Sequence, residues 1–554
     1  MADFKLKLHR GEGMVLIAMN WLDGTPPDDF VGFAIAFAEP GSSQFHPLLN
    51  RLAFDKEAAA PGTKAPRQFP TDQSPIQKFR WTHFPENASL CGEFTYRVTP
   101  VFMDAAGALS EGDAVTDTVV LADDTYPGQL NIAFTRGYIA SQAFVDTYGG
   151  QDQLRTLLPP HVADGIDFVP TNPKSAEAYD WMGFEARQAI LDLLDAAASD
   201  ATAKVSMVAF DFNLPEIVSR LQTIGNRLRL IVDNSDDGSA PGDAKAKACA
   251  QLTAHGVAVI RQHMGALQHN KMLVVDGAVK KAIGGSTNFS WNGFFVQSNN
   301  AVIVMSAAAI APFQAAFETY WNDPDDFPTS ANAAWTPVQL DGITMEVSFS
   351  PHGSANARLQ DIANDIDATQ SSLFYSLAFL YLAKTGPIHA AITRVINTPG
   401  RFVYGMSDED AAIVIQKPDG VAAPVYYKAL TKNAPPPFNP EPSATGIHLH
   451  HKFVVIDFDK PTARVYTGSH NFSDAADRKN GENLMLITDA RVATSYMVEA
   501  VTMFDHYHFN IVQTKTPSDQ LLLQKPPAAG AKPWWDEDYT DPLKVKDRNL
   551  FCPL

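Results

Sequence analysis

The segments HNKMLVVD at 269–276 and HHKFVVID at 450–457 decide the fold of this 554-residue chain. In each segment a histidine and a lysine two positions later lead into four apolar residues and an aspartate. Residues two apart on a strand point to the same face, so each histidine and its lysine should project together from the start of a buried strand. The sequence therefore predicts two equivalent strands, each presenting one imidazole and one ammonium group.

The repeat continues downstream of both strands. Gly-Ser-Thr-Asn at 285–288 matches Gly-Ser-His-Asn at 468–471, and the offset between the two histidines is 450 minus 269, or 181. Small residues in a tight turn let backbone and amide groups approach a ligand, which is the role we expect for this turn. Eleven positions beyond the turn asparagine, the first copy has Asn299 and the second has Glu482.

The surrounding sequence has an α/β pattern. EARQAILDLLDAAA at 185–198 predicts a helix and KVSMVAFDF at 204–212 predicts a strand, and this alternation continues. The strand has a counterpart in SLFYSLAFL at 372–380. We expect two similar α/β lobes related by a pseudo-two-fold axis, spanning residues 126–335 and 336–515, with a site where they meet.

Both ends of the chain differ from this pattern. Residues 1–125 alternate apolar runs with turn-rich gaps, which predicts an accessory β-sandwich of immunoglobulin or fibronectin type. Tyr96 would be its corner tyrosine and Trp81 a core aromatic of the opposing sheet. Residues 516–554 are rich in proline and lysine and predict a packed C-terminal arm. The pair Trp534-Trp535 could instead form an aromatic lip over a substrate groove.

Two copies of H-x-K-x4-D, each followed by G-S-x-N, resemble the signature of the phospholipase D superfamily, over about residues 160–515. The resemblance implies a phosphodiesterase that forms a covalent phosphohistidine and needs neither a metal nor another cofactor. It implies a catalytic set of His269, Lys271, Asn288, His450, Lys452 and Asn471. The supporting set is Asp276, Ser286, Asn299, Asp457, Ser469 and Glu482.

The roles follow from the chemistry of these side chains. The lysines can neutralise the non-bridging oxygens of a phosphodiester and the asparagines can donate hydrogen bonds to them. One histidine attacks phosphorus and the other protonates the leaving alcohol. Family members often keep an acidic residue near the histidine at the position of Glu482, and a carboxylate raises the pKa of an adjacent imidazole. We therefore expect Glu482 beside His450, with His450 the general acid and His269 the nucleophile.

Other polar residues have less specific interpretations. Asp276 and Asp457 end the motif strands, where they either tie down loops or support the histidines. His448, His451 and His470 suggest a metal site, but the first copy has Leu267, Asn270 and Thr287 at their positions, so we favour a polar lining of the cleft. His470 either touches substrate or is exposed. The acidic loop at 233–243 lacks the full spacing of a calcium-binding loop and is typical of a solvated turn.

Charge and composition constrain the substrate. Lys and Arg total 43 against 62 Asp and Glu, a formal charge of -19, and a negative field tends to repel nucleic acid. Our first choice is hydrolysis, or transfer, of a phospholipid headgroup with transient contact to a membrane surface. A nuclease of the same superfamily is the alternative, and a non-catalytic binding protein is the third possibility.

The assembly and compartment are predicted from simple features. Both motifs lie in one chain, so we expect a monomer. The three cysteines, Cys91, Cys249 and Cys552, are an odd number without metal-site spacing, so neither a disulfide framework nor a zinc site is expected. No secretory leader or membrane-spanning run is visible, so the default location is cytoplasmic, with leaderless export as the other option.

Overall fold

A computed structural model of the chain describes residues 3–55, 68–85, 90–137, 144, 147–148, 151–161, 164–235, 242–353, 357–408, 411–416, 422–424, 449–515 and 522–554. The chain divides into two units. The first comprises Met1–Asp123, Val414–Ala423 and Val501–Leu554, and the second comprises Asp124–Ile413 and Pro424–Ala500. Each unit is described by itself below.

The first unit is rich in antiparallel strands. These are β1 Phe4–Arg10, β2 Val15–Trp21, β3 Phe30–Ala38, β4 His46–Pro47, β5 Leu49–Asn50, β6 Phe69–Pro70, β7 Arg80–His83, β8 Gly92–Met103, β9 Leu109–Glu111 and β10 Val115–Leu121. The order β1-β2-β7 forms a three-stranded sheet, and β10-β8-β3-β4, with β9 beside β8, forms a five-stranded sheet. Strands β5 and β6 pair separately.

One apolar core joins residues from the three-stranded and five-stranded sheets, as alternating strands with one buried face require. Trp81 is half-buried against this core from β7, and Tyr96 is fully buried on β8. The Tyr96 hydroxyl bonds the His83 side chain at 2.9 Å, whereas a corner tyrosine bonds backbone. Trp535 is buried in the same core and Trp534 stacks on Phe79.

The second unit contains two seven-stranded mixed sheets, which confirms the α/β class. Their strands are β11 Leu130–Phe134, β12 Lys204–Ala209, β13 Leu228–Asp233, β14 Ala258–Gln262, β15 Met272–Asp276, β16 Lys280–Gly285, β17 Asn300–Met305, β18 Thr336–Val338, β19 Thr344–Ser350, β20 Ser372–Leu377, β21 Phe402–Met406, β24 Lys452–Ile456, β25 Arg464–Gly468 and β26 Glu482–Thr488. The pair β22 Val414–Gln416 and β23 Ala422–Pro424 forms a two-stranded sheet whose residues, apart from Pro424, belong to the first unit.

The two large sheets have matching strand orders. The first sheet runs β11-β17-β16-β15-β12-β13-β14 and the second runs β18-β19-β26-β25-β24-β20-β21. In both sheets, the strand that follows the motif histidine, β15 or β24, lies between two strands. One of them is its hairpin partner, β16 or β25. The other, β12 or β20, pairs in parallel with the following strand in the sheet, β13 or β21. The motif strands β15 and β24 have buried, β-branched sequences that suit the centre of a sheet.

The helices of the second unit are α1 Gln151–Leu157, α2 Ser175–Ser199, α3 Pro215–Ile224, α4 Ala244–Ala254, α5 Ala307–Asn322, α6 Ala357–Asp367, α7 Pro387–Ile396 and α8 Asp474–Arg478. Helix α9 Ala490–Lys515 begins in the second unit and continues into the first, and α10 Asp536–Thr540 and α11 Pro542–Phe551 belong to the first unit. Short helical turns occupy Gly225–Arg227, Asn292–Val296, Pro324–Thr329, Ala331–Ala333 and Leu380–Leu382. None of the helices in the described ranges has the length and apolar composition required to cross a bilayer.

The glycines of the two G-S-x-N turns have a packing role that differs from the expected approach to a ligand. Gly285 and Gly468 have φ of 131° and 143°. A Cβ would lie 2.5 Å from the Asn300 carbonyl oxygen at Gly285 and 2.2 Å from the Asn483 carbonyl oxygen at Gly468. These glycines therefore allow neighbouring strands to approach each other, and the expected approach of the turn to a ligand stays a prediction.

We expect Gly468→Ala to lower the free energy of unfolding by more than about 3 kcal/mol, because it combines backbone strain with a clash against a carbonyl group. Gly342→Ala is a matched control, since Gly342 has φ of 75° and the described residues place no atom within 4 Å of the point that a methyl group would occupy. That variant should lose only about 1 kcal/mol. Urea denaturation measures both, and equal losses would contradict the packing role.

Candidate active site

The two motif histidines and their lysines have the same local geometry. His269 and His450 lie just before β15 and β24, and each lysine turns back so that its Nζ donates to the carbonyl oxygen of its own histidine, at 2.5 Å for Lys271 and 2.7 Å for Lys452. All four side chains are buried, with residue exposures between 1% and 4%. Two imidazoles and two ammonium groups are therefore held with little contact with water.

An aromatic ring accompanies each pair. The Phe210 ring lies 4.6 Å from the His269 ring and 4.9 Å from the Lys271 Nζ, measured to its centroid. Phe379 is the equivalent in the second copy, at 5.9 Å from His450 and 5.2 Å from Lys452. Phe210 follows Ala209, the last residue of β12, and Phe379 follows Ala378, the first residue after β20. The predicted match between the two strands therefore extends to the site. A cation near an aromatic face gains favourable electrostatic energy, which helps to hold the lysines.

Each imidazole is oriented by the opposite sheet. The Nδ1 of His269 lies 2.9 and 2.8 Å from the two carboxylate oxygens of Glu482, the first residue of β26. The Nδ1 of His450 lies 2.7 Å from the Asn299 Oδ1, just before β17. Glu482 was expected beside His450, and that expectation is wrong. The electrostatic argument that made His450 the general acid loses its premise.

Backbone contacts explain why the partners cross between the sheets. Gln268 forms an isolated parallel bridge with Gly481, and Leu449 forms one with Ser298. The segment before His269 therefore runs beside the segment that leads into β26 of the second sheet, and the segment before His450 runs beside the segment that leads into β17 of the first. The following side chain, Glu482 or Asn299, is thereby placed against the histidine of the opposite copy.

The motif serines orient these partners. The Ser469 hydroxyl donates to the Glu482 Oε2 at 2.6 Å, and the Ser286 hydroxyl donates to the Asn299 Oδ1 at 2.9 Å. The Ser469 hydroxyl also accepts a hydrogen bond from the backbone N–H of Asn483, and the Ser286 hydroxyl accepts one from the backbone N–H of Asn300. Since a hydroxyl has one proton to donate, its direction is fixed, and the carboxylate and carboxamide are held against the histidines.

The motif asparagines have unused hydrogen-bonding capacity. Asn288 and Asn471 follow the two turns, and the Oδ1 atom of each is buried without a hydrogen-bond partner among the described residues. Buried polar groups in folded proteins are normally paired, so an orphaned carboxamide in both copies indicates a position that a ligand completes. Rotation of the carboxamide by 180° about its Cβ–Cγ bond would present the NH2 group, a hydrogen-bond donor, to the same place.

Burial and mutual repulsion control the charges of the site. Burial lowers the pKa of His269 to about 4, against the opposing effect of Glu482. Burial also lowers the pKa of Lys271 to about 7 and holds the pKa values of His450 and Lys452 well below their ordinary values, to which the neighbouring lysine charges contribute. Burial would raise the pKa of Glu482, but the charges of His269 and Lys271 outweigh it and keep that pKa below its ordinary value.

The two motif aspartates differ. Asp457 is buried and accepts hydrogen bonds from the backbone N–H groups of Gln370, Ser371 and Ser372, at 3.0, 2.7 and 3.2 Å for its closest oxygen. It ties down the loop before β20, as expected. Asp276 is exposed at the far end of β15 from His269 and forms an ion pair with Lys280. Support of His269 by Asp276 is therefore excluded by position.

Two further aspartates position the histidines and were missed in the sequence. The Asp233 Oδ1 accepts from the Gln268 N–H at 2.8 Å, and the Asp408 Oδ1 accepts from the Leu449 N–H at 3.2 Å. Asp233 ends β13 and Asp408 lies two residues beyond β21, so both act at the ends of equivalent strands. An aspartate after a buried strand in both copies was the available signal.

Asn300 and Asn483 were missed as well, although an asparagine follows Asn299 and Glu482 in both copies. The Asn300 Nδ2 donates to the hydroxyl groups of Thr467 and Tyr496 at 2.6 and 3.0 Å. The Asn483 Oδ1 accepts from the Gly285 N–H at 3.1 Å. Each asparagine therefore links its own sheet to the other and fixes their separation at the site.

Of the three histidines considered for a metal site, His451 and His470 lie among the described residues and contact different carboxylates. His451 is fully buried, 3.3 Å from Glu499 and edge-on to Phe134, so the expected lining role is wrong for it. His470 is also fully buried, which excludes the exposed alternative. His448 and positions 236–241 of the acidic loop lie outside the described residues. Within the part of the chain that the structure describes, no three His, Cys, Asp or Glu side chains are placed to hold a metal ion.

Comparison with known proteins supports the motif. The family model described as "Cardiolipin synthase, PLD-like domain" matches residues 190–321 and 419–503, which contain both H-x-K segments. The chain belongs to the phospholipase D superfamily. The first matched range contains β12 to β17 and the second contains β24, β25 and β26, and each range contributes one histidine and one lysine to the site described above.

Individual relatives in the superfamily match parts of the chain. A mitochondrial cardiolipin hydrolase of Xenopus laevis is 29% identical over 128 residues, covering 23% of this chain and 58% of the relative. A phospholipase D of Rickettsia bellii (strain RML369-C) is 48% identical over 48 residues, covering 9% and 22%. The chain thus spans less than two thirds of the length of these curated relatives. The solved structure of Nuc from Salmonella typhimurium, a phospholipase D family member, has 22% identity and a TM-score of 0.21, covering 24% of this chain and 86% of that one.

Proposed function

We propose that the chain is a phosphodiesterase of the phospholipase D type, which hydrolyses a phospholipid headgroup ester, and can transfer the phosphatidyl group, through a phosphohistidine. The observation that carries this proposal is the pair of buried His–Lys units with crossed partners. Four basic side chains, His269, Lys271, His450 and Lys452, surround a site whose direct histidine partners include one carboxylate, Glu482. Burial is the main cause of their lowered pKa values, so it disfavours the charged forms of all four side chains, and an anion bound beside them would offset this cost.

A bound phosphodiester supplies the missing anion. Its negative charge would raise the pKa values of the lysines and of His450, since an opposite charge favours the charged form of each base. The ammonium groups would then stabilise the additional charge on the non-bridging oxygens in the transition state. Asn288 and Asn471, with unused polar atoms, are placed to complete the contacts. This binding set needs no metal ion.

The proposed reaction has two steps. In the first, the Nε2 lone pair of His269 forms a bond to phosphorus, the bond from phosphorus to the leaving alcohol oxygen breaks, and His450 Nε2 gives that oxygen its proton. In the second, His450 takes a proton from water, the water oxygen forms a bond to phosphorus, and the bond to His269 breaks. An alcohol in place of water gives transfer instead of hydrolysis.

The crossed contacts support His269 as nucleophile for a new reason. An ionised carboxylate only accepts hydrogen bonds, so Glu482 holds the proton on Nδ1 and leaves the Nε2 lone pair free to attack. The phosphohistidine is then a cation, which the Glu482 carboxylate stabilises. Asn299 orients His450 in the same way but carries no charge, so His450 remains the stronger acid once it is protonated in the complex.

Several observations favour a phospholipid over nucleic acid. Matched relatives have the names cardiolipin hydrolase and phospholipase D. The formal charge of -19 disfavours a polyanion, and Phe210 and Phe379 place apolar surface beside the reacting groups. We further propose a pseudo-two-fold body with lobes at 126–335 and 336–515, an accessory sandwich at 1–125 and a C-terminal arm from 516. It would act as a monomer with transient membrane contact.

The decisive experiment compares substrates. We expect the protein to release choline from phosphatidylcholine vesicles and to leave supercoiled plasmid intact, with His269→Ala and His450→Ala as inactive controls. Nicking without headgroup release would favour the nuclease alternative. If neither activity of the wild type exceeds that of the double variant, the binding-protein alternative replaces the enzyme.

The pH dependence follows from the free site. The His269 pKa of about 4 means that its imidazole loses its proton, and becomes able to attack, as the pH rises through about 4. The Lys271 pKa of about 7 means that its positive charge is lost as the pH rises through about 7. In the free enzyme the pKa of His450 is also well below its ordinary value, so the protonated fraction of this general acid is already small near pH 7. Since kcat/KM reports the free enzyme, we expect it to be highest on the acid side of neutrality and to fall further above about pH 7, where Lys271 loses its charge. Initial rates across this range, with a stability control at each pH, measure it, and a continued rise above about pH 8 would contradict the role of Lys271.

A further inference from the structure

Three buried ionisable side chains next to the site are not used by the proposed reaction. We name His352, Asp477 and His470 the histidine–aspartate network. The His352 Nδ1 lies 2.7 Å from the Asp477 Oδ1, and the His470 Nε2 lies 3.6 Å from the same oxygen. The exposure of these residues is at most 5%. Burying an ionised carboxylate lowers the free energy of unfolding unless polar partners stabilise the charge, and the two histidines are such partners for Asp477.

The orientation of His470 is fixed on both sides of its ring. The Phe472 backbone N–H donates to the His470 Nδ1 at 3.0 Å, so Nδ1 carries no proton. The proton of the neutral ring is therefore on Nε2, which faces Asp477 at a distance longer than a normal hydrogen bond. The contact is electrostatic, between an N–H dipole and a carboxylate, and it keeps the ring directed toward α8, where Asp477 lies.

The rest of the network is anchored to the second sheet. The His352 Nε2 lies 2.9 Å from the Ser348 hydroxyl on β19, and the His352 backbone N–H donates to the Asp477 carbonyl oxygen at 2.8 Å. The Ser350 hydroxyl, also on β19, lies 2.7 and 2.8 Å from the carbonyl oxygens of Ala476 and Asn480 and donates its one proton to one of them. Helix α8 is therefore tied to the end of β19, and Asp477 is a fixed point for His470.

His470 lies between two residues of the site. Ser469 precedes it and donates to Glu482, the carboxylate that orients His269, and Asn471 follows it. In the first copy the corresponding turn residue is Thr287, whose hydroxyl donates to the Asn300 carbonyl oxygen at 2.7 Å. The first copy thus fixes its turn by a local bond to the next strand. Only the copy that supplies the carboxylate uses His470 and Asp477 for this purpose.

We infer that the histidine–aspartate network is a positioning device for the proposed reaction: it fixes the turn that carries Ser469 and Asn471 and so holds Glu482 against His269. His470 and Asp477 are positioning residues and do not touch the substrate. The inference rests on the proposed phosphodiesterase function for its kinetic consequences. Its structural consequence, the Glu482–His269 contact, is measurable without a substrate.

The test uses two substitutions of His470 that divide its contacts. His470→Asn keeps an acceptor near the Nδ1 position for the Phe472 N–H but does not reach Asp477, whereas His470→Gln places an amide N–H near the Nε2 position. With bis(p-nitrophenyl) phosphate as substrate, we expect His470→Asn to lower kcat at least about tenfold with KM changed less than about twofold. We expect His470→Gln to retain several times the kcat of His470→Asn, and Asp477→Asn to match the weaker variant.

A change in the pH profile separates positioning from mere loss of folded protein. Glu482 raises the pKa of His269, so a looser contact lowers that pKa and moves the acid limb of kcat/KM to lower pH. A smaller fraction of folded protein would lower the rate by the same factor at every pH and would not move the acid limb of kcat/KM. His255→Asn, at an exposed histidine that bonds locally to Gln251, is the control and should match the wild type in kcat and pH profile.

Imidazole ¹⁵N resonances provide a readout that does not depend on activity. With the His269 signal assigned from the His269→Gln variant, its titration should shift to lower pH in His470→Asn and Asp477→Asn. An unchanged His269 titration in folded variants overturns the inference, whatever the substrate. An inactive wild type together with the expected titration shift would reject the proposed function and keep the positioning device, so the two failures are distinguishable.

Discussion

We expect His269→Gln to lower kcat/KM for a dialkyl phosphodiester by about 10⁴-fold or more, the largest effect of any single substitution in this chain. Glutamine can keep a hydrogen bond to Glu482 but offers no lone pair of comparable nucleophilicity to phosphorus. The loss should be nearly independent of the leaving group, because the first bond to phosphorus can no longer form. Steady-state rates with phosphatidylcholine and with bis(p-nitrophenyl) phosphate measure it.

His450→Gln is the matched substitution and should behave differently. A general acid contributes about 10²–10⁴-fold when the leaving group needs a proton. We expect a loss of this size with phosphatidylcholine and a much smaller loss in the first step with bis(p-nitrophenyl) phosphate, because nitrophenolate leaves without protonation. The second step also needs His450, as base for the attacking water. A burst of nitrophenolate followed by a slow steady rate is therefore expected for this variant.

The same variant should accumulate the intermediate. Rapid acid-free quenching of His450→Gln with bis(p-nitrophenyl) phosphate, followed by proteolysis and mass spectrometry, is expected to place the nitrophenyl phosphate on the peptide that contains His269. A modified His450 in the wild type or in His269→Gln would reverse the two roles. Equal losses for both variants with both substrates would argue against a division into nucleophile and acid.

The second large effect concerns the lysines. We expect Lys271→Met and Lys452→Met each to lower kcat/KM by about 10²–10³-fold, which is the usual consequence of removing one donor to a developing oxyanion. Methionine keeps most of the side-chain volume in these buried positions, so the effect on folding should be limited. Lys280→Met is the control, since Lys280 begins the neighbouring strand β16, has a side chain that is 41% exposed and pairs with Asp276.

Two further measurements separate charge from packing in these variants. The lysine charges lower the pKa of His450, so their removal should raise that pKa, which ¹⁵N spectra of the imidazole report. Competitive inhibition by inorganic phosphate should weaken in both variants. In Lys271→Met the alkaline limb of kcat/KM near pH 7 should also disappear. Unchanged phosphate inhibition together with an unchanged His450 titration would refute the electrostatic role.

Much of the site was predictable because the chemistry is repeated. His269 and His450 share a spacing to lysine, to an apolar strand and to a G-S-x-N turn, and these local patterns specify strand, turn and polar end group together. The strand match of KVSMVAFDF with SLFYSLAFL was predictable for the same reason, since period and burial are local properties. The buried loop-tying role of Asp457 followed from its position after a buried strand.

The errors all concern contacts between distant residues. The packing role of Gly285 and Gly468 was missed, because the atoms they must accommodate belong to the next strand of the sheet. His451 and His470 were placed in the cleft because polarity alone suggests exposure, whereas Glu499 and Asp477 compensate them inside the protein. Asp276 and Asp457 have the same place in the motif, but only Asp457 has a loop within reach. No local pattern contains these partners.

By itself, the sequence determined that this protein has two copies of a strand that presents histidine and lysine, and that both copies contribute to one kind of chemistry. Spacing and hydrophobic pattern are enough for this, because they fix which side chains leave the same face of a strand. Only the tertiary structure decided that Glu482 serves His269 and that Asn299 serves His450. The reason is physical: the two sheets meet along β16, β17, β25 and β26. Glu482 at the start of β26 and Asn299 just before β17 therefore each face the histidine of the opposite sheet rather than the histidine of their own sheet.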